Sequence, residues 1–199
     1  MKSFKLLTSL FLLISTTFLL NAQTANEVSF SDFDYTEYKL NNIDTIPDYS
    51  TKNNKIKISG TIYKSDGITP ASNVVLYIEQ ANELGDFDVL KENGEKYVYH
   101  NASIKTNENG EYTFYTFLPG NDRRYNQLQQ LFPTITEPSK EPYEIASFLF
   151  DEDPLLTKRC RKQIAKKSDP SRILKLKKEG KILVAQKDIV LDFTACSSK

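Results

Sequence analysis

Side chains that bind metals through nitrogen or sulfur are scarce in this chain. Its 199 residues include one histidine, His100, and two cysteines, Cys160 and Cys196. Tyr97 and Tyr99 stand close to His100 and add two phenolic oxygens, so the three residues could ligate a metal. Side chains alternate across a strand, however, and a strand through these positions points the tyrosines to one face and His100 to the other. We therefore interpret them as strand aromatics and a surface histidine.

The acidic residues offer no stronger catalytic candidate. Asp151, Glu152 and Asp153 precede Pro154, and a run rich in bases extends from Lys158 to Lys167. Proline is favoured in the first helical turn and these charges complement the helix dipole, so the order predicts a short helix over 154–167. Capping of that helix explains the acids without catalysis. The sequence also contains no G-x-S-x-G, P-loop or HExxH motif.

The N-terminal residues are typical of an export signal. Lys2 and Lys5 precede an apolar run over 6–20, and Ala22 marks a cleavage position, which predicts a signal peptide over 1–22. The apolar run is shorter than the roughly 20 residues of a membrane-spanning helix, so we expect no transmembrane segment in the mature chain. We expect that mature chain to be exported, to the periplasm or to the outside of the cell.

An oxidising compartment would allow Cys160 and Cys196 to form a disulfide. Closing that loop would stabilise the fold by roughly 4 kcal/mol on a chain-entropy argument. Two free thiols are the alternative. Neither cysteine belongs to a CxxC pair or has a neighbouring histidine, so we expect no metal at either one.

Charge is unevenly distributed although the net charge is zero. Residues 158–187 contain twelve Lys or Arg against Asp169 and Glu179, a local charge of +10, whereas residues 24–157 carry a charge of −11. A basic face over 158–187 could meet an anionic surface such as acidic polysaccharide or lipid headgroups. The alternative is a solvated helix and hairpin. We expect no nucleic-acid partner, since the chain has no nucleic-acid-binding motif.

Strand patterns dominate the rest of the chain. Residues 23–54 are polar and unpatterned, which predicts an N-terminal arm, and 55–199 are predicted to form one domain. Asn109-Gly110 is typical of a hairpin turn because both residues tolerate positive φ. The pattern predicts an all-β, two-sheet β-sandwich with one short helix in the C-terminal third. The predicted strands are 55–63, 74–78, 97–106, 111–117, 143–150, 173–176, 182–185 and 189–193.

Four segments together resemble the intradiol ring-cleavage dioxygenases, in particular their small exported bacterial members. They are ISGTIYKSDGITPASNVVLYIEQANELGDF from residue 58, KTNENGEYTFYTFLPG from residue 105, PYEIASFLFDEDPLLT from residue 142 and KDIVLDF from residue 187. The resemblance spans residues 56–193. Transthyretin-like and carboxypeptidase-regulatory-like sandwich modules share the strand and turn motifs, and the QAN and DEDPLL segments favour the dioxygenases.

The resemblance implies a ferric site held by two tyrosinates and two histidines, which binds catechol before dioxygen attacks the ring. The tyrosine positions of the family's G-x-Y and P-G-P-Y motifs correspond here to Phe87 and Asp122. The histidines of its P-x-H-x-H strand correspond to Gln130 and Phe132, counted back without a gap from the segment that begins at Glu137. Phenylalanine has no lone pair, and a chain with one histidine cannot supply two imidazoles. We therefore expect no iron and no other cofactor.

Three functions are compatible with this resemblance. The leading one is an exported, non-catalytic binding or interaction module, a pseudoenzyme whose apolar pocket at Phe87 and Phe132 holds a small aromatic ligand or a side chain of an exported protein. The second is an active dioxygenase acting on catechol-type aromatics, with a rebuilt Fe(III) site. The third is a structural or adhesion β-sandwich. The substitute iron ligands of the second function would come from Tyr97, Tyr99, His100, Tyr125 and Asp122.

Overall fold

The computed structural model describes residues 40–192. The predicted signal peptide, residues 23–39 of the predicted arm, and Cys196 lie outside the described residues, so the predicted disulfide stays a prediction. No helix within 40–192 is long and apolar enough to cross a membrane.

The described residues form fourteen strands and one α-helix, α1 (Lys158–Lys167). The strands are β1 (Ile43–Thr45), β2 (Lys55–Tyr63), β3 (Val75–Gln80), β4 (Val89–Glu92), β5 (Glu95–Val98), β6 (Asn101–Lys105), β7 (Glu111–Phe117), β8 (Gln130–Thr136), β9 (Tyr143–Glu144), β10 (Phe148–Phe150), β11 (Ile173–Leu174), β12 (Lys177–Glu179), β13 (Ile182–Gln186) and β14 (Ile189–Val190).

Two six-stranded sheets enclose the core. The first has the order β1-β7-β2-β13-β12, with β14 also paired to β2, and the second has the order β11-β10-β8-β3-β6, with β9 paired to β8. Strands β4 and β5 form a separate hairpin. Ile56 and Ile58 of β2 and Leu76 and Ile78 of β3 are fully buried, as the alternation of β2 and the apolar run of β3 predict. The all-β sandwich with one helix is confirmed.

Part of the predicted arm belongs to the first sheet. Strand β1 pairs in parallel with β7, where Ile43 is opposite Thr113. Ile46, which follows β1, is 1% exposed and belongs to the hydrophobic core. The described residues before β2 therefore pack as part of the domain, although their sequence lacks the alternation that predicts a strand.

The predicted hairpin at Asn109-Gly110 is wrong. Strand β6 pairs with β3, and β7 pairs with β2 and β1, so the turn connects the two sheets. Asn107 stabilises this turn, because its Oδ1 accepts hydrogen bonds from the backbone N–H groups of Asn109 and Glu111. Gly110 has a φ of 70°, and a Cβ there would lie 2.6 Å from the carbonyl oxygen of Ile62. The local turn signal was therefore sound, but the partner of each strand is a non-local property.

Three other predicted elements differ from the structure. The strand over 97–106 is divided into β5 and β6, and the strand over 143–150 into β9 and β10. The helix begins at Lys158 and not at Pro154, because Thr157 is its N-cap and accepts a hydrogen bond from the N–H of Cys160. The acids at 151–153 therefore do not cap this helix.

Candidate functional site

Two loops pack together at the end of the sandwich where the resemblance locates the tyrosine positions. Residues 81–88 follow β3 and residues 118–129 follow β7. The N–H of Gly120 donates to the carbonyl of Asn82 at 2.8 Å, and Nε2 of Gln127 donates to the carbonyl of Gly85 at 3.3 Å. Gly85 has a φ of 91°, and a Cβ there would lie 2.9 Å from the carbonyl oxygen of Asn121. The approach of these loops therefore requires glycine at position 85.

Buried amides hold the first of these loops. Gln80 is fully buried, accepts a hydrogen bond from Thr116 Oγ1 at 2.5 Å and donates to the carbonyl of Phe117 at 3.2 Å. Asn82 accepts from the N–H groups of Leu84 and Asp86 through one Oδ1 atom. The QAN segment thus has a structural role, since it joins the two sheets and shapes the loop that carries Phe87.

Phe87 and Phe132 come together as an aromatic pair. Their ring centroids are 5.6 Å apart and the ring planes meet at 57°. Phe87 is 36% exposed, and Phe132 is half-buried on β8. The two positions, 45 residues apart in the sequence, therefore present apolar aromatic surface at one place. The pocket that the sequence predicts at these residues stays a prediction.

Asp122 is bound by its own loop. Its carboxylate accepts hydrogen bonds from the N–H of Arg124 at 2.8 Å, from Nε at 3.2 Å and from Nη2 at 3.0 Å. These bonds from Arg124 lower the pKa of Asp122 below its usual value. The charge and both oxygens of this carboxylate are therefore already engaged.

Gln130 is also engaged by neighbouring residues. Its Oε1 accepts from Ser147 Oγ at 2.9 Å, and the same hydroxyl accepts from Nη2 of Arg172 at 2.5 Å. Nε of Arg172 donates to the carbonyl of Ser147 at 2.6 Å. Burial lowers the pKa of Arg172, and the nearby Asp169 opposes this effect. The Gln130 amide thus belongs to a hydrogen-bonded chain between β8 and the segment after α1.

The four positions do not fit a ferric ion. Ferric iron in a site of this class is held by anionic oxygens and imidazoles, whereas Phe87 and Phe132 carry no donor atom, Gln130 is a neutral amide and Asp122 is bound by Arg124. Within residues 40–192, His, Cys, Asp and Glu side chains form no group of three or more that could hold a metal ion.

The predicted substitute ligands have different surroundings. Tyr125 is 78% exposed, and the guanidinium of Arg124 lies 5.7 Å from its ring centroid. Tyr97 lies on β5 opposite Leu90 of β4. Tyr99 donates from its hydroxyl to Oδ1 of Asp48 at 3.3 Å. The structure therefore leaves Tyr125 on the surface and places Tyr99 beside an acid that the sequence did not single out.

The interpretation of His100 as a surface residue is wrong. His100 is 2% exposed, and its ring makes edge contacts with Tyr99 at 5.0 Å and with Phe117 at 5.1 Å between centroids. The chain turns at this point, because Asn101 donates from its N–H to the carbonyl of Tyr99. This turn interrupts the strand and allows the imidazole to enter the interior.

Two carboxylates flank the buried imidazole on opposite sides. Nδ1 of His100 lies 3.5 Å from Oδ2 of Asp88, and Nε2 lies 4.0 Å from Oδ2 of Asp48. Neither ring nitrogen makes a hydrogen bond with any residue of the described part. Burial is the main cause that lowers the pKa of His100, and Lys52 adds to it, while the two aspartates and Glu83 oppose it. Because the aspartates face different nitrogens, the three groups do not converge on one point.

Asp153 is a structural residue of the loop region that sequence reasoning missed. It is 3% exposed, and its carboxylate accepts from Asn121 Nδ2 at 2.9 Å, from the N–H of Gln129 at 2.7 Å and from the N–H of Leu155 at 2.9 Å. It therefore ties the second loop to the segment before α1. The DEDPLL segment is the sequence feature that could have identified Asp153, but its acids are predicted to cap the helix.

A separate cavity of about 510 Å³ opens between residues 143–148 and 187–192. None of the four iron-ligand positions lines it. Its two cations are engaged, because Lys187 donates to Asp169 at 3.0 Å and Arg172 donates to Ser147. Glu144, an exposed acid, also lines this cavity.

Comparison with solved structures identifies the architecture. The dioxygenase domain of a dioxygenase carbohydrate-binding protein fusion from Streptomyces sp. SirexAA-E superposes with a TM-score of 0.57 at 20% identity, over 72% of this chain and 82% of that one. This protein has the intradiol dioxygenase fold. The match, together with α1 and the strands that follow it, favours this fold over a carboxypeptidase-regulatory-like module.

Two further structures agree. Wild-type catechol 1,2 dioxygenase of Acinetobacter radioresistens has a TM-score of 0.57 at 14% identity, over 79% of this chain and 60% of that chain. The intradiol ring-cleavage dioxygenase of Tetranychus urticae has a TM-score of 0.53 at 15% identity, over 71% of this chain and 82% of that one. No protein-family model and no curated protein sequence matches this chain. At these identities the likeness concerns the fold alone.

Proposed function

We propose that this protein is an exported, non-catalytic binding module that has the intradiol dioxygenase fold and has lost the ferric site. It binds an aromatic group, from a small molecule or from the side chain of an exported protein, against Phe87 and Phe132. The observation that carries the proposal is the pairing of these two rings, whose centroids are 5.6 Å apart. They occupy two positions where the family's ligand motifs have a tyrosine and a histidine. A tilted ring pair with an accessible edge offers a third aromatic ring both stacking and edge contacts.

The state of the neighbouring polar groups supports this proposal. Asp122 is neutralised by Arg124, and the Gln130 amide accepts from Ser147, so neither introduces a free charge beside the rings. The loop that carries Phe87 is held by Gly85 and Asn82 against the second loop. Such a preorganised apolar surface lowers the ordering cost of binding.

Binding can be tested by NMR titration with phenol and with catechol, followed on the resonances of Phe87 and Phe132. We expect saturable shifts at both rings, and we expect Phe87→Ala and Phe132→Ala each to weaken binding roughly three- to tenfold, as loss of one aromatic contact implies. Tyr125→Ala is the matched control, since Tyr125 is an exposed aromatic on the adjoining loop. Equal weakening by all three variants, or no saturable shift, would show that the pair is not a site.

Loss of iron is tested separately on the purified mature protein. After incubation with ferric salt and removal of the excess, we expect iron well below one equivalent and no phenolate-to-iron charge-transfer band. Near-stoichiometric iron with such a band would reject the proposal. Export is tested by fractionating cells that express the full chain, where recovery in the cytoplasmic fraction would contradict it.

An active dioxygenase with a rebuilt site is the second candidate. One observation favours it, namely that Tyr99 and His100 both approach Asp48, at 3.3 Å and 4.0 Å respectively. Oxygen consumption with catechol that is abolished by Tyr99→Phe would support this candidate. Iron-free protein without oxygen consumption would remove it.

A further inference from the structure

The outer face of the first sheet carries a lysine cluster around a cavity of about 270 Å³. Val184 of β13 is in register with Lys57 of β2 on one side and with Lys177 of β12 on the other. Neighbouring strands lie about 4.8 Å apart, so the Cα atoms of these two lysines are separated by roughly 10 Å. Lys175 lines the same cavity. The flexible four-carbon stems of lysine allow the three ammonium groups to approach one ligand.

The cavity combines positive charge with unused hydrogen-bond donors. Its charged and polar lining residues are Lys57, Lys175, Lys177, Ser59, Gln186 and Glu179. The three lysines form no ion pair with any described residue, and the side chains of Ser59 and Gln186 make no hydrogen bond there. With one acid, Glu179, among the lining residues, the charge around the cavity is +2.

This cluster overlaps in part with the basic stretch that the sequence indicated, because Lys175 and Lys177 belong to both. Arg161, Arg172 and Lys187 belong to residues 158–187 but are used internally, by Asp151, Ser147 and Asp169 respectively. Lys57 lies outside that stretch and reaches the cavity through the parallel pairing of β2 with β13. The fold therefore adds Lys57 to Lys175 and Lys177 of that stretch at one concave point.

We propose that this cavity binds a tetrahedral oxyanion, a phosphate or sulfate group carried by a small solute. Lysine binds phosphate and similar groups as a compact point charge. The Ser59 hydroxyl and the Gln186 amide supply additional donors to oxyanion oxygens. A dianion offsets both the charge of +2 and the mutual repulsion of the three ammonium groups. The site is separate from the aromatic pair and does not depend on the proposed function.

The test is an NMR titration of the protein with inorganic phosphate and with inorganic sulfate, at ionic strength held constant with chloride. We expect saturable shifts of Ser59, Lys177 and Gln186. Lys57→Gln and Lys175→Gln should each weaken binding roughly five- to tenfold, which corresponds to the net worth of one hydrogen bond at a solvent-exposed site. Glucose 6-phosphate and glucose 6-sulfate form the second arm, in which tighter binding than the free ions identifies an esterified group as the natural ligand class.

Lys178→Gln is the matched control, because Lys178 is an exposed neighbour of Lys177 on β12 and does not line the cavity. We expect it to leave the affinity for phosphate and sulfate within twofold of the wild type. Equal weakening in Lys178→Gln and Lys57→Gln would indicate general surface charge and overturn the proposal. Shifts that fail to saturate, or that chloride reproduces, would overturn it as well. Because these lysines are at the surface or half-buried, we expect each variant to fold. Circular dichroism checks this.

Discussion

The buried imidazole of His100 should make the protein less stable as the pH falls below about 6.5. Burial holds its folded pKa below 6.5, so the unfolded chain binds a proton more readily than the folded one. The free energy of unfolding is therefore fully retained above the unfolded pKa, falls as the pH passes through the interval between the two pKa values, and levels off below the folded one. Because His100 is the single histidine of the sequence, no other imidazole contributes in this interval.

The magnitude follows from the linkage between proton binding and folding. Each unit by which the folded pKa lies below the unfolded value removes about 1.4 kcal/mol of unfolding free energy at low pH. His100→Leu removes that titration and both ring nitrogens, which have no hydrogen-bond partner among the described residues. Relief of two unpartnered polar atoms, about 1–3 kcal/mol each, opposes the loss of ring contacts with Tyr99 and Phe117, about 0.5–1.5 kcal/mol each. The variant should therefore be at least as stable as the wild type at pH 7 and should lack the histidine contribution between pH 7 and 5.

Two measurements check this reasoning. NMR titration of the single imidazole gives the folded pKa directly, and urea unfolding from pH 7.5 to 5 gives the stability of the wild type and of His100→Leu. Asp88→Asn should lower the pKa of His100 further than Asp48→Asn does, since Asp88 is the nearer acid, while Lys52→Met should raise it. A folded pKa of His100 above 6.5 would contradict this prediction, because the two carboxylates would then outweigh burial.

Two further substitutions test the loops that support the aromatic pair. Asp153→Ala leaves three donors without their acceptor and should lower the free energy of unfolding in urea by about 3 kcal/mol. Glu152→Ala, at an exposed neighbour, should change it by no more than about 0.5 kcal/mol. Equal effects of the two variants would contradict the buried role of Asp153. Gly85→Ala should cost about 2–4 kcal/mol because it combines positive φ with a clash against Asn121. Gly67→Ala is the control, because Gly67 also has a positive φ but faces open space, and it should cost about 1 kcal/mol. Similar losses of stability in thermal unfolding for the two variants would show that the clash with Asn121 contributes nothing.

The candidate site was partly predictable from the sequence. Phe87 and Phe132 were assigned to one pocket through motifs that match a known family, and the structure brings their rings together. The sequence did not predict that the carboxylate of Asp122 is already bound by Arg124, because this pairing depends on a loop conformation that no local pattern encodes. Asp153 was misinterpreted for the same reason, since its partners Asn121 and Gln129 come from another part of the chain.

Local signals determined several features without any tertiary information. The alternation of Ile56, Ile58 and Ile62 specified a strand with one buried face, because the period of a strand is a property of a few consecutive residues. The single histidine excluded a site with two imidazole ligands in any register. The turn before Gly110 was also local, since Asn107 closes it through its own side chain.

Contacts between residues far apart in the sequence followed from the fold. It joined β6 and β7 to different sheets, turned His100 from an expected surface position into the interior between Asp48 and Asp88, and brought Lys57 beside Lys177 across β13. Each outcome depends on strand partners and loop packing between segments far apart in the sequence. Propensity, periodicity and turn chemistry report only on neighbours along the chain, which is why they predicted the sandwich and not the surroundings of these side chains.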